Sequence, residues 1–136
     1  MPKTGGQLIT ESLDTNEVKH VFCVPGESYL GALDALFDKK KSIKVINARH
    51  EAGAANMAES YGKLTGKPGV ALVTRGPGAC HASVGVHIAH QDSTPMILIV
   101  GAVARAVRDR EAFQEVDFKH FFGPISKWVG EISDPD

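Results

Sequence analysis

Four short apolar runs decide most of what this chain can fold into: HVFCV from His20, IKVI at 43 to 46, GVALV at 69 to 73 and MILIV at 96 to 100. Each is almost continuously hydrophobic and rich in β-branched side chains, the pattern of a strand covered on both faces. Segments with helical spacing lie around them: Gln7 to Asn16 before the first run, then Tyr29 to Lys39, Ala52 to Leu64 and Ala79 to His90. Strands that alternate with helices predict βαβ units. The expected fold is therefore α/β, a doubly wound and mostly parallel sheet with helices on both faces.

With 136 residues, the chain has the size of one domain, so residues 1–136 are expected to share a single core. A formal charge of -1 gives no broad basic field for nucleic acid or an anionic membrane surface. No apolar run approaches the ~20 residues that span a bilayer, and the polar start MPKTGGQ has no signal-peptide core. The expected compartment is the cytoplasm. Cys23 and Cys80 stand far apart in apolar or glycine-rich surroundings and are expected to be free thiols. No C-x-x-C pair occurs, and His81, His87 and His90 lack a nearby thiol or H-E-x-x-H spacing, so no metal site is expected.

Three of the runs lead into glycine or proline turns: VPGES, TRGPG and VGAVA. The second leads instead into NARHE, and Glu51 then opens an alanine-rich helix. A first-turn glutamate is favoured by the free amides and positive end of a helix, so Glu51 can be read as no more than that. In doubly wound folds, however, ligands bind outside the carboxyl ends of the strands, where these loops meet helix N-termini. Pro25, Gly26, Glu51, Thr74, Pro77 and Gly78 belong to that rim.

Other motifs exclude more than they propose. GPGACH from Gly76 departs from G-x-G-x-x-G at His81, and no G-x-x-x-x-G-K-[ST] sequence is present, which argues against NAD and ATP. Without a G-x-S-x-G elbow, serine hydrolysis has no nucleophile, and Ser28 reads as the N-cap of the following helix. The charged stretch from Ala102 to Glu115 reads as a solvated surface stretch, or as an exposed helix or lid. FKHFFGPISKWV is expected to pack an edge of the domain. The ending ISDPD reads as a linker, which predicts a domain cut from a longer chain.

In order, VFCVPGESYLGALDAL, the block from INARHEAGAANMAE through TGKPGVALVTRGPG to MILIVGAVA, and EAFQEVD resemble one family. It is the N-terminal pyrimidine-binding domain of thiamin diphosphate enzymes, acetolactate synthase (acetohydroxyacid synthase) large subunits among them. The likeness runs from about Gly6 to Val129. R-H-E-x-x-A-x-x-M-A followed by T-G-x-P-G-V and G-P-G at these spacings carries it.

The resemblance implies that Glu51 is the catalytic glutamate, hydrogen-bonded to ring nitrogen N1' of the cofactor's aminopyrimidine and promoting ionisation of the thiazolium. It implies cofactor-binding roles for Val24, Pro25, Gly26, Thr74, Pro77, Gly78 and His81, and places Phe113 and Gln114 on the substrate side. Departures from the family pattern are Val24 for a common tyrosine, Cys23 for a glycine, Glu27 for the second glycine of PGG and His81 for an asparagine. The diphosphate and Mg2+ belong in the family to a second domain with a G-D-G motif, which does not occur here. The partner is thus expected to be the diphosphate-binding domain of a neighbouring subunit, in a homodimer or larger assembly acting on a 2-oxoacid, with FAD compatible in the parent enzyme. Alone the chain is expected to be inactive. An exposed apolar patch is expected where further domains dock. Two alternatives stand beside this: a stand-alone pyrimidine subunit of a split 2-oxoacid decarboxylase, and a non-catalytic α/β interaction module.

Overall fold

The computed structural model describes residues 2–133; the last three residues of the ISDPD linker lie outside them. Thr4 caps the first helix, α1 (Gly5–Thr15), through a reciprocal capping box with Gln7. Strand β1 (His20–Cys23) leads through a 3-10 turn at Glu27–Tyr29 into α2 (Leu30–Asp38). Then follow β2 (Lys44–Asn47), α3 (Glu51–Thr65), β3 (Gly69–Val73), α4 (Pro77–Asp92) and β4 (Met96–Val100). Helix α3 ends on Gly66 at φ 68°, a left-handed cap that glycine adopts without a Cβ penalty. Proline at the first position starts α4, where its missing N–H costs nothing.

The four strands are all parallel, in the order β2-β1-β3-β4. Alternation along the central strands sends Val21, Cys23, Val70 and Leu72 into one core with Leu13, Tyr29 and Leu36 from α1, α2 and the turn before α2. Phe22, Ala71 and Val73 point the other way, toward Ala54, Ala55 and Ala58 of α3 and Ala79, Ala82 and Val86 of α4. The expected doubly covered sheet is what forms, with α1 and α2 on one face and α3 and α4 on the other.

The alanine content of α3 now has a physical reason. Ala54, Ala55 and Ala58 are completely buried between the sheet and α4. A Cβ on Gly85 of α4 would lie 2.6 Å from that of Ala55, so neither helix can carry a larger side chain at their crossing.

Two expectations need correction. The segment from Ala102 to Glu115 holds only a 3-10 turn at Arg105–Val107. Asp109, Glu111 and Gln114 adopt positive φ, and the Glu115 carboxylate accepts the amides of Asp109 (2.8 Å) and Ala112 (2.9 Å), amides a helix would bond to carbonyls. The segment is a strap across the sheet's carboxyl edge. Ser28, in turn, caps no helix: it sits inside the 3-10 turn, and α2 starts without a side-chain cap.

The aromatic stretch after the strap packs as expected only in part. Phe118 and Phe122 of α5 (Phe118–Phe122) join the core beneath α4, whereas Trp128 is exposed. Val84 and Ile88, one turn apart on α4, and Ile97 on edge strand β4 are among the exposed apolar side chains.

Candidate functional site

The strand order fixes where a ligand can enter. After β1 the chain turns to the α2 face, and after β3 it turns to the α4 face, so the loops leaving these two adjacent strands part. Such a switch point opens a crevice at the carboxyl edge. Val24, Gly26, Thr74 and Gly78 lie along it.

Glu51 stands beside it at the start of α3. Its cap function is taken by His50, whose ring Nδ1 accepts the amide of Ala52 at 3.2 Å. The Glu51 carboxylate is therefore free to reach across to α4, where Oε2 lies 3.0 Å from Nδ1 of His81. Glu51 is largely buried at 14% side-chain exposure, while His81 is half-exposed at 51%. The His50 ring stacks on His81 at 4.6 Å between centroids. Ligand atoms of His50, Glu51 and His81 all lie within 4.8 Å of one another.

Close backbone approach shapes the rest. A Cβ on Gly78 would lie 2.8 Å from Thr74 Cγ2 and 3.3 Å from Glu51 Oε1, and one on Gly26 would lie 2.6 Å from Thr74 Cβ. Glycines at these points keep the first turn of α4 and the β1 loop against Thr74 and keep a side chain off Glu51 Oε1. Val24 contributes its carbonyl, which accepts the Tyr29 hydroxyl, with the Leu72 carbonyl at 3.3 Å. Burial drives the Tyr29 phenol well above its usual range, with the Cys23 thiol and Glu51 adding to the effect, so it remains a donor.

The structure thus brings Val24, Gly26, Glu51, Thr74, Gly78 and His81 together. Pro77 is exposed at the start of α4, and Pro25 lines a separate groove of about 400 Å³ with Leu33, Phe37 and Asn47. Phe113 and Gln114 reach the same edge through the strap. The Phe113 carbonyl accepts Arg75 Nε at 3.0 Å, and Gln114 lies where a Cβ on Gly76 (φ 54°) would touch it. His87 and His90 are exposed further along α4.

Sequence reasoning missed three contributors. Ser28 Oγ bonds Thr74 Oγ1 at 2.8 Å and accepts the Arg75 amide at 3.3 Å, tying the two crevice loops together. Arg75 pairs with Glu27 at 2.5 Å and lies over the Phe113 ring at 5.7 Å from its centroid, so one guanidinium holds a loop and the strap. The charge complementarity of Glu27 and Arg75 was visible in sequence, but nothing there placed them side by side. His50 is one letter of the R-H-E motif in sequence, and nothing there assigns its ring to the cap of α3 or to the face of His81.

Comparison with known proteins shows the family. The sequence family described as thiamine pyrophosphate enzyme, N-terminal TPP binding domain, matches residues 3–121. The acetolactate synthase of Bacillus subtilis (strain 168) is 42% identical over 130 residues, 96% of this chain and 22% of the relative. The acetolactate synthase large subunit of Pyropia yezoensis is 42% identical over 135 residues, 98% of this chain and 23% of the relative. A mitochondrial acetolactate synthase of Schizosaccharomyces pombe is 36% identical over 132 residues, 97% of this chain and 20% of the relative. The chain spans between a fifth and a quarter of the length of these curated relatives.

Proposed function

The chain belongs to the family of thiamine pyrophosphate enzyme N-terminal TPP-binding domains, and from that premise we propose that it forms the aminopyrimidine half of an acetolactate synthase-like active site. The observation that carries the reading is the largely buried Glu51 carboxylate, free of any capping role and held at the crevice between β1 and β3. The donor set suits the group. A carboxylate can share a proton with a weak ring nitrogen, and the glycine at 78 keeps a side chain off Glu51 Oε1.

Glu51 would hold the cofactor's ring nitrogen, with Val24, Pro25, Gly26, Thr74, Pro77, Gly78 and His81 around the pyrimidine and Phe113 and Gln114 toward substrate. When bound, thiamin diphosphate supplies the nucleophilic carbon and the electron sink for 2-oxoacid decarboxylation and carboligation. The chain's own work is to move one proton and fix one geometry. Oε1 of Glu51 faces Gly78, and Oε2 is held by His81, so the carboxylate is oriented before any ligand arrives. Ser28, Thr74 and Arg75 keep the loops on either side at a fixed spacing.

The 136 residues contain no G-D-G motif, so we assign the diphosphate and Mg2+ to a separate domain, contributed by a neighbouring subunit in a dimer or larger assembly. The chain alone is then inactive toward 2-oxoacids. An FAD-binding middle domain is compatible with this reading and not required by it. No described helix is long and apolar enough to cross a membrane; the cytoplasm is our proposed compartment.

The test is Glu51→Gln in the complete assembly, read as hydrogen–deuterium exchange at C2 of the bound cofactor. Loss of a positioned proton-transfer group lowers such a rate by about 10²–10⁴-fold. Unchanged exchange would reduce Glu51 to a first-turn carboxylate and overturn the proposal.

A further inference from the structure

We propose that His50, Glu51 and His81 also form a binding site for a divalent transition-metal ion such as Zn2+. Two imidazoles and one carboxylate with a position left open to solvent are the donor set of a three-ligand zinc site, and imidazole selects such ions over Mg2+ or Ca2+. The three ligand atoms lie within 4.8 Å of one another. His81 Nδ1 and Glu51 Oε2 stand 3.0 Å apart and would have to part by only about 0.4 Å to become two tetrahedral ligands at about 2.0–2.2 Å from one metal. Both elements that carry the ligands are anchored, because the first turns of α3 and α4 sit on completely buried alanines at positions 54, 55, 79 and 82. The stacked rings hold His50 beside His81 in advance.

Proton bookkeeping gives the site a signature. His50 Nδ1 accepts the Ala52 amide, so the proton of the neutral ring is on Nε2. A metal bound at Nδ1 takes the lone pair that Ala52 uses. A metal bound at Nε2 sends the proton to Nδ1, which then cannot accept. Either way the Ala52 amide loses its acceptor. At His81, coordination through Nδ1 replaces the hydrogen bond to Glu51 by a shared metal.

The metal and an aminopyrimidine would then compete for Glu51, a corollary that depends on the proposed function; the metal site itself does not. The experiment titrates this chain with Co2+, followed by visible absorption and by amide NMR, with Zn2+ as competitor. Expected are saturable one-to-one binding, displacement by Zn2+ and a large shift of the Ala52 amide. His81→Asn and His50→Gln should each weaken Co2+ binding by more than about tenfold, while His87→Ala and His90→Ala leave it unchanged. Circular dichroism confirms that each variant is folded. Absence of saturable binding, or equal affinity in His81→Asn and His50→Gln, would overturn the site. C2 exchange in Glu51→Gln is measured without added transition metal, so the two readings fail independently.

Discussion

Glu51 Oε2 and His81 Nδ1 lie 3.0 Å apart although 30 residues separate them in the chain. Two successive crossover helices start at the same edge of the sheet, and their first turns meet above β3. A carboxylate held by a half-exposed imidazole is oriented, yet stays connected to solvent.

The glycine at position 78 is required by that meeting. Gly78→Ala puts a Cβ against Thr74 and Glu51, at 2.8 and 3.3 Å. Overpacking of this kind costs about 1–3 kcal/mol, and denaturant unfolding should show a lower midpoint at unchanged slope. Stability equal to that of the wild type would mean the loop shifts freely and the crevice is not preorganised.

Ser28 should matter more than an ordinary surface serine. Ser28→Ala removes the bond to Thr74 Oγ1 and the acceptor of the Arg75 amide, and is expected to cost about 1 kcal/mol. A double-mutant cycle with Thr74→Val measures the coupling. Strictly additive effects would show that the two side chains do not interact.

Arg75 holds the strap. Arg75→Met removes the bond to the Phe113 carbonyl and the ion pair with Glu27 while keeping most of the stem. Limited proteolysis should then cut between residues 105 and 115 faster than in the wild type, with the core strands still protected.

Acidification should loosen the same strap from a different point. Amides of Ala112 and Asp109 hold the Glu115 carboxyl below its ordinary value of 4.5. A depressed carboxyl stabilises the fold above the unfolded-state pKa, and that stabilisation is lost as pH falls from about 4.5 through the folded value. The Ala112 and Asp109 amide resonances should titrate together in this window and stop doing so in Glu115→Gln.

The two thiols should separate by reactivity. Cys23 is buried in the sheet, and burial raises its pKa, whereas Cys80 is half-buried on α4. A thiol reagent should label Cys80 in the native protein and Cys23 only on unfolding. Equal rates would contradict the packing of β1.

The sequence alone determined the layers. Each apolar run became a strand within one residue of its expected limits, GVALV and MILIV without change, but only the central strands β1 and β3 are buried as an unbroken hydrophobic run predicts, while β2 and β4 are partly exposed edges. The motif around Glu51 also placed it at the carboxyl edge of the sheet, where loops and helix N-termini converge. Only the tertiary structure decided what Glu51 touches. Its partner His81, the stacked His50, the Ser28–Thr74 tie and the Arg75 clamp are contacts between elements, fixed by strand order and helix packing distance. The strap after β4 escaped for the related reason that its amides are satisfied by the Glu115 side chain. Local charge patterning cannot reveal that choice, because the same residues could equally have lined a helix.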